Sequence, residues 1–442
     1  MQALDCGRAV AGAPDDYLYG PRAAWFAFAM TAALMLFDYV DRQVIVSLFP
    51  HIKDEWGLSD KQLGALVSIV SVTVALGALP VALIADRMSR VKSIFWMALV
   101  WSAACVSCMF TRNYGQLLTA RAIVGSGEAG YGSVGAALIA SHFPSRMRGA
   151  LLAGFFATAS VGSVLGVILG GVIATHWGWK TAFGVVGFPG LLLALLYLKV
   201  RDYRTVELTP RHGAAMQSAG GVLRFIVQAL ARSRTMLWTC VGGAMQLIVV
   251  SSLWSWLPSY LNRFHELPVD QAAIKAALIV LFGAAGSVVW GAVVDRSGKR
   301  NPRNKLFTMA VLCLLAMLVL GFGFGAGVWF GAPSTMAGQM GVLMLGGFIV
   351  TCTVGPVSAI VIDVVHPGVR STGSSVLSLF QNLFGLAAGP FISGVLSDAL
   401  GLQMAMAIMP AFGLLAALAF IRASTSYETD MRQVNHQALA AA

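Results

Sequence analysis

Charge is what this chain has least of: Asp, Glu, Lys and Arg together make up 11% of its 442 residues, against about 25% in a soluble globular domain. So little charge cannot clothe a surface that faces water on all sides, and water is therefore not the main solvent. The constellations that mark enzymes are missing as well. There is no HExxH, no GxSxG on a strand-to-helix turn and no phosphate-cradling glycine loop ending in GK[ST], and the histidines are scattered singly. These absences argue against a metallohydrolase, an α/β-hydrolase and an ATP-driven pump within the chain, so no cofactor, no metal and no catalytic residue is expected. Of the six cysteines, Cys105, Cys108, Cys240, Cys313 and Cys352 lie in apolar stretches. Cys105 and Cys108 form a CxxC without a second ligand pair, so they read as packing thiols one helical turn apart.

What the chain does have is apolar sequence, 57% of its residues, in long runs that recur from end to end. Breaks at Pro, Gly and charge clusters predict twelve spans near 23–49, 61–85, 93–111, 115–141, 147–174, 181–199, 235–262, 269–294, 305–326, 334–364, 371–397 and 402–421. Each approaches or exceeds the roughly 20 residues that cross a hydrocarbon core. The predicted fold is an all-α integral membrane protein of twelve transmembrane helices in two pseudo-symmetric six-helix bundles. The division is residues 1–200 for the first bundle, 201–234 for a polar cytoplasmic connector and 235–442 for the second.

A net charge of +11 could suggest nucleic acid as a partner, and the location of the basic residues decides against it. Placing both termini in the cytoplasm puts 22 of the 30 Lys and Arg residues on that side, as the positive-inside rule requires. The outer loops receive Lys53, Lys61, Arg112, Lys180 and Arg263, with Lys275 just inside span 8. Short loops and the lack of an Asn-x-Ser/Thr acceptor fit a prokaryotic inner membrane. The expected partners are the lipid bilayer, protons and a small amphipathic or anionic solute, with the chain acting as a monomer.

An internal repeat supports the two halves. After span 2 the chain reads Ala82-Leu-Ile-Ala-Asp86-Arg87-Met-Ser89-Arg90, and after span 8 it reads Gly291-Ala-Val-Val-Asp295-Arg296-Ser-Gly298-Lys299-Arg300. Each is a small residue, three apolar residues, then Asp-Arg and further base. These segments resemble the signature loops of the major facilitator superfamily between its helices 2 and 3 and between 8 and 9. The first copy carries Ala82 and Ser89 where that family has glycine. The resemblance implies a secondary transporter working by alternating access, with Asp86, Arg87, Arg90, Asp295, Arg296 and Arg300 as conformational latches. Asp86 is expected near the start of span 11 around Ser371, and Asp295 near the start of span 5 around Arg146.

Ionisable residues within spans cost several kcal/mol unless they face the bundle interior, so each is a functional candidate. Span 1 carries Asp38, Asp41 and Arg42 on one helical face, and span 4 carries Arg121 and Glu128 seven residues apart. A static ion-pair network is one reading. Three acids against two bases favour another, because a buried acid left without a partner favours its neutral, proton-carrying form. Asp41-Arg42 together with Arg121-Ala-Ile-Val-Gly125-Ser-Gly127-Glu128-Ala-Gly-Tyr131 resembles the spinster branch, which reads DR in helix 1 and RxxxGxGEAxY in helix 4. That resemblance implies a lysophospholipid or sphingosine-phosphate class of solute, Asp41 as the proton-linked acid, and Arg42 and Glu128 lining the cavity; Asp38 is a secondary acid candidate, and Arg121 and Tyr131 of span 4 are further cavity candidates.

Spans 7 to 12 show no charge at membrane depth, so the second half offers Trp254, Phe380, Gln381 and Asn382 as a greasy or weakly polar wall. A cavity charged on one side and apolar on the other suits an amphipathic solute. A proton-coupled organic anion or drug carrier is the alternative. Gly162, Gly166 and Gly170-Gly171 in span 5, and Gly385, Gly389-Pro390 and Gly394 in span 11, are expected to pack helices closely and to form rocking contacts between the halves.

Overall fold

A computed structural model describes residues 17–87, 89–202, 233–330, 335–365 and 370–440, and most of the expected connector, together with His366 to Val369, lies outside that set. The described residues form helices and turns without a strand. Eleven helices are long and apolar enough to cross a membrane. The expected fourth span is present as two shorter pieces, Tyr114–Glu128 and Tyr131–His142, which completes twelve.

The spans run Pro21–Trp56, Asp60–Arg87, Arg90–Cys108, the broken fourth, Ser145–Trp177 and Trp179–Tyr197, then Arg234–Phe264, Val269–Ser297, Arg303–Phe330 and three further interrupted spans. Span 10 is Met336–Val350 followed by Val354–Asp363; span 11 is Arg370–Phe380, a π-helical turn Gln381–Leu386 and Ala388–Leu400; span 12 runs from Leu402 to Ser424 through a short 3₁₀ turn. Span 1 passes through Pro50 and ends only at Gly57, whose φ of 61° closes the helix onto Lys53 O. A proline does not end a helix in lipid, because the alternative is backbone left without partners in hydrocarbon. The interruptions in spans 4, 10 and 11 lie within otherwise continuous apolar helices, where broken backbone is tolerated if protein surrounds it.

Span 5 lies along span 1, and glycine sets the distance: a Cβ on Gly166 would sit 2.6 Å from Val40 O, and one on Gly170 2.5 Å from Val44 O. Span 11 lies along span 7 in the same way, with a Cβ on Gly389 placed 2.6 Å from Ile248 O and one on Gly385 2.7 Å from Leu247 Cβ. The two arrangements are repeat equivalents. They correct the expected rocking role for Gly162, Gly166, Gly170, Gly385 and Gly389, which pack within their own halves, whereas Gly171, Pro390 and Gly394 of the same runs do meet the other half. Among the described residues, close contacts across the halves include Gly64 against Pro390, Gly171 against Ala273 and Gly394 against Asp60.

After span 12 a polar helix, Tyr427–Ala440, docks beneath the second half. Asp430 accepts from Ser233 Oγ at 2.7 Å and Thr235 N at 3.0 Å, capping span 7 from outside its own sequence. Tyr427 donates to Asp363 at 2.8 Å. Burial, followed by that carboxylate, pushes the Tyr427 phenol above its ordinary range.

Candidate functional site

The five charged groups of spans 1 and 4 are brought together, and they separate into two sets. Arg42 Nε lies 2.8 Å from Asp38 Oδ1, one turn back on its own helix, and 2.9 Å from Glu128 Oε2 on span 4. Arg121 Nη1 lies 3.2 Å from Asp41 Oδ1 and 3.3 Å from the Asp41 carbonyl. The surplus acid anticipated from the count therefore belongs to the Arg42 set, while Asp41 and Arg121 balance one to one. Side-chain exposure separates the two sets again: Arg42 is 17% accessible and the other four are 4% or less. Its guanidinium also lies 5.3 Å from the centre of the Tyr39 ring.

The span 4 motif has a local physical reading. Gly125 lets the helix press on span 2, where a Cβ would meet Val70 Cα at 2.8 Å, and Gly127 lets it press on span 3, where a Cβ would meet Trp101 N at 2.7 Å. The helix ends at Glu128 and restarts after Gly130, which adopts φ 81°. Close approach and the break together hold Arg121 and Glu128 against span 1. Tyr131 departs from expectation: it is fully buried, donates to Thr31 O at 2.5 Å and meets Trp101 edge-on at 5.2 Å. It braces the first half and does not line a cavity.

In the second half the Phe380 ring lies tilted against Phe384 at 5.2 Å, and Asn382 donates to Ser378 O at 2.9 Å on its own helix. Trp254 is half-buried beside Gly283, with its indole N–H lacking a partner among the described residues. Gln381 is half-buried at the start of the π-helical turn. No hydrogen bond or ion pair among the described residues joins this wall to the charged group. Of the latch residues, the side chains of Asp86 and Arg87 lie outside the described set, as does that of Ser371; Arg90 opens span 3 behind the Ser89 cap. Asp295, Arg296 and Arg300 are exposed, and Asp295 forms no ion pair with Arg146.

A second charged assembly was not anticipated. At the face where span 1 ends and span 2 begins, the carboxylate of Asp60 is 4% accessible and takes Arg263 in a bidentate pair at 2.7 and 2.8 Å, Lys53 at 2.6 Å and Ser397 Oγ at 2.5 Å. Asp398 accepts from the backbone N–H of both Asp60 and Lys61 at 2.8 Å, capping span 2 from span 11. Beside it Trp256 Nε1 donates to Pro390 O at 3.0 Å, and its ring meets Phe49 of span 1 at 5.1 Å. Spans 1 and 2 are thus fastened to spans 7 and 11, sealing this face. In the sequence these residues look like ordinary helix-end charges; the signal that could have found them is the pairing of an acid at the start of span 2 with bases at the ends of both span 1 and its repeat equivalent, span 7.

Comparison with known proteins agrees with this architecture. The chain is 26% identical over 415 residues to protein spinster homolog 3 of Homo sapiens, covering 88% of this chain and 78% of that protein. It is 28% identical over 430 residues to a gallate transporter of Pseudomonas putida, covering 90% and 91%. A crystal structure of a bacterial homolog to the human lysosomal transporter spinster, in an inward-facing and unoccupied conformation, superposes with a TM-score of 0.80 at 21% identity, over 92% of this chain and 98% of that one. Residues 31–389 match the Major Facilitator Superfamily, and the chain belongs to that superfamily of membrane transporters.

Proposed function

We propose that the chain is a proton-coupled secondary transporter that moves an amphipathic anionic solute of the lysophospholipid class by alternating access. The observation that carries the proposal is the Arg42 set: two carboxylates share one guanidinium, and that guanidinium is the accessible member. An anion arriving at Arg42 competes with Asp38 and Glu128 and adds negative charge to a site that already has an excess. Relief comes from a proton, so anion and proton favour each other's binding by the same factor.

Asp41 is the proposed coupling acid, with Asp38 secondary. Asp38 and Arg42 sit on the same helix, so neutralising Asp38 separates nothing, whereas the Asp41–Arg121 pair joins span 1 to span 4. Trp254, Phe380, Gln381 and Asn382 are proposed to receive the apolar part of the solute. The two bundles, 1–200 and 235–442, rock about the connector, with both termini in the cytoplasm of a prokaryotic cell and the chain working as a monomer. The Asp-Arg loops remain the proposed latches on the cytoplasmic side.

The gallate transporter among the relatives favours a second reading, a small aromatic or sugar-acid anion held by the same Arg42. Proteoliposomes with an inward proton gradient separate the two. Accumulation of oleoyl-lysophosphatidylglycerol, abolished in Arg42→Gln, supports the lipid reading. Accumulation of gallate or galactonate without the lysolipid supports the second, and accumulation of none above protein-free liposomes refutes both.

A further inference from the structure

The Asp41 carboxylate has a third neighbour that the ion-pair description leaves unused. Cys105, on span 3 and fully buried, places its sulfur 3.0 Å from Asp41 Oδ1, closer than the 3.4 Å to its other acceptor, Phe183 O on span 6. Arg121 Nη1 reaches the same oxygen at 3.2 Å. The other oxygen, Oδ2, is buried and has no hydrogen-bond partner among the described residues. Two donors converge on one carboxylate oxygen, and the second is left bare.

We propose that Cys105 is a positioning residue for Asp41: by donating its thiol proton to Oδ1 beside Arg121, it fixes the carboxylate so that Oδ2 is the atom that takes up the coupling proton. The inference rests on Asp41 being the coupling acid. A proton on Oδ1 would point at an S–H and an N–H that already occupy that side, whereas one on Oδ2 meets no donor. The thiol suits this task because it is a weak donor in an apolar helix, able to orient an acid without holding it permanently ionised as a second guanidinium would. The charged and titratable groups facing Asp41 are Arg121 and Glu128 from span 4, Cys105 and Cys108 from span 3, and Asp38 and Arg42 from its own helix. Cys108, one turn from Cys105, is equally buried and its thiol bonds the carbonyl of Ala104 on its own helix at 3.4 Å with no carboxylate partner among the described residues, which makes it the matched control.

The test is infrared difference spectroscopy on the full chain in lipid, titrated with pH, because S–H and protonated-carboxyl C=O stretches lie apart from most protein bands and need no substrate. On acidification, the wild type should show a carboxyl C=O band appearing together with a shift of one S–H band as the bond to Asp41 weakens. Cys105→Ala should lose that S–H signal and displace the pH midpoint of the C=O band by several tenths of a unit. Cys105→Ser should keep the midpoint closer to wild type, and Cys108→Ala should leave both signals in place. Should Cys105→Ala be poorly folded, Cys105→Ser and the wild-type S–H band still decide. A C=O band lost in Asp41→Asn while no S–H band moves with pH in the wild type overturns the role of Cys105 and leaves Asp41 intact. A C=O band that survives Asp41→Asn and vanishes in Asp38→Asn or Glu128→Gln overturns the coupling assignment itself.

Discussion

Replacing Asp60 with Asn should open the face that its carboxylate fastens. The carboxylate accepts from two cations and a hydroxyl on three different spans, and its own burial means that water cannot replace them. Removing one partner from a fully buried ion pair costs about 3–5 kcal/mol. Arg263 and Lys53 keep 25% and 35% accessibility, and Asn retains an oxygen for Ser397 or Arg263, so the smaller range applies here. A loss of about 1.5–3 kcal/mol from the sealed arrangement raises the open-face population roughly ten- to a hundred-fold, at about 1.4 kcal/mol per decade. Double electron–electron resonance reads this between spin labels at Trp177, exposed at the end of span 5, and Glu266, exposed between spans 7 and 8. The Asp60→Asn distribution should gain a longer component. Glu55→Gln breaks an ion pair in which both partners are more than a third exposed, and it should change nothing. A distance distribution in Asp60→Asn identical to wild type would refute the reasoning that this carboxylate fastens the face.

Two further outcomes follow from packing. Gly166→Ala drives a methyl group onto the Val40 carbonyl of span 1 and should cost about 1–3 kcal/mol, read as a fall in melting temperature in detergent, whereas Gly149→Ala, with nothing within 4 Å, should be neutral or stabilising. Tyr131→Phe removes a buried hydrogen bond to Thr31 O and should lower stability by about 0.5–1.5 kcal/mol while leaving solute affinity unchanged; a large loss of affinity at unchanged stability would return Tyr131 to the cavity wall.

The twelve spans, the halves and the gathering of Asp38, Asp41, Arg42, Arg121 and Glu128 were legible because each rests on a local signal: apolar length, a repeated Asp-Arg loop, or charge at a depth where charge is costly. Which acid meets which base was not legible. Asp38, Asp41 and Arg42 share a face by spacing, yet Asp41 reaches Arg121 and Cys105 while Arg42 turns to Asp38 and Glu128. Side-chain partners depend on how far span 4 advances, and that is set by Gly125 and Gly127 against spans 2 and 3. The burial of Tyr131 was not legible for a related reason: membership in a motif does not say whether a residue faces the solute or supports the residues that do. The Asp60 assembly was hidden because its members are ordinary at their own positions and become a unit only when residues as far apart as Lys53 and Asp398 meet.

The proposed coupling of solute movement to the proton gradient through protonation of Asp41 stands or falls on Asp41→Asn in proteoliposomes. Asparagine keeps the volume and mimics only the protonated acid. With oleoyl-lysophosphatidylglycerol as probe, the variant should exchange solute across the membrane at a rate within about tenfold of wild type, since binding at Arg42 is intact, yet fail to accumulate it when an inward proton gradient is imposed. Accumulation equal to wild type under that gradient would contradict the account.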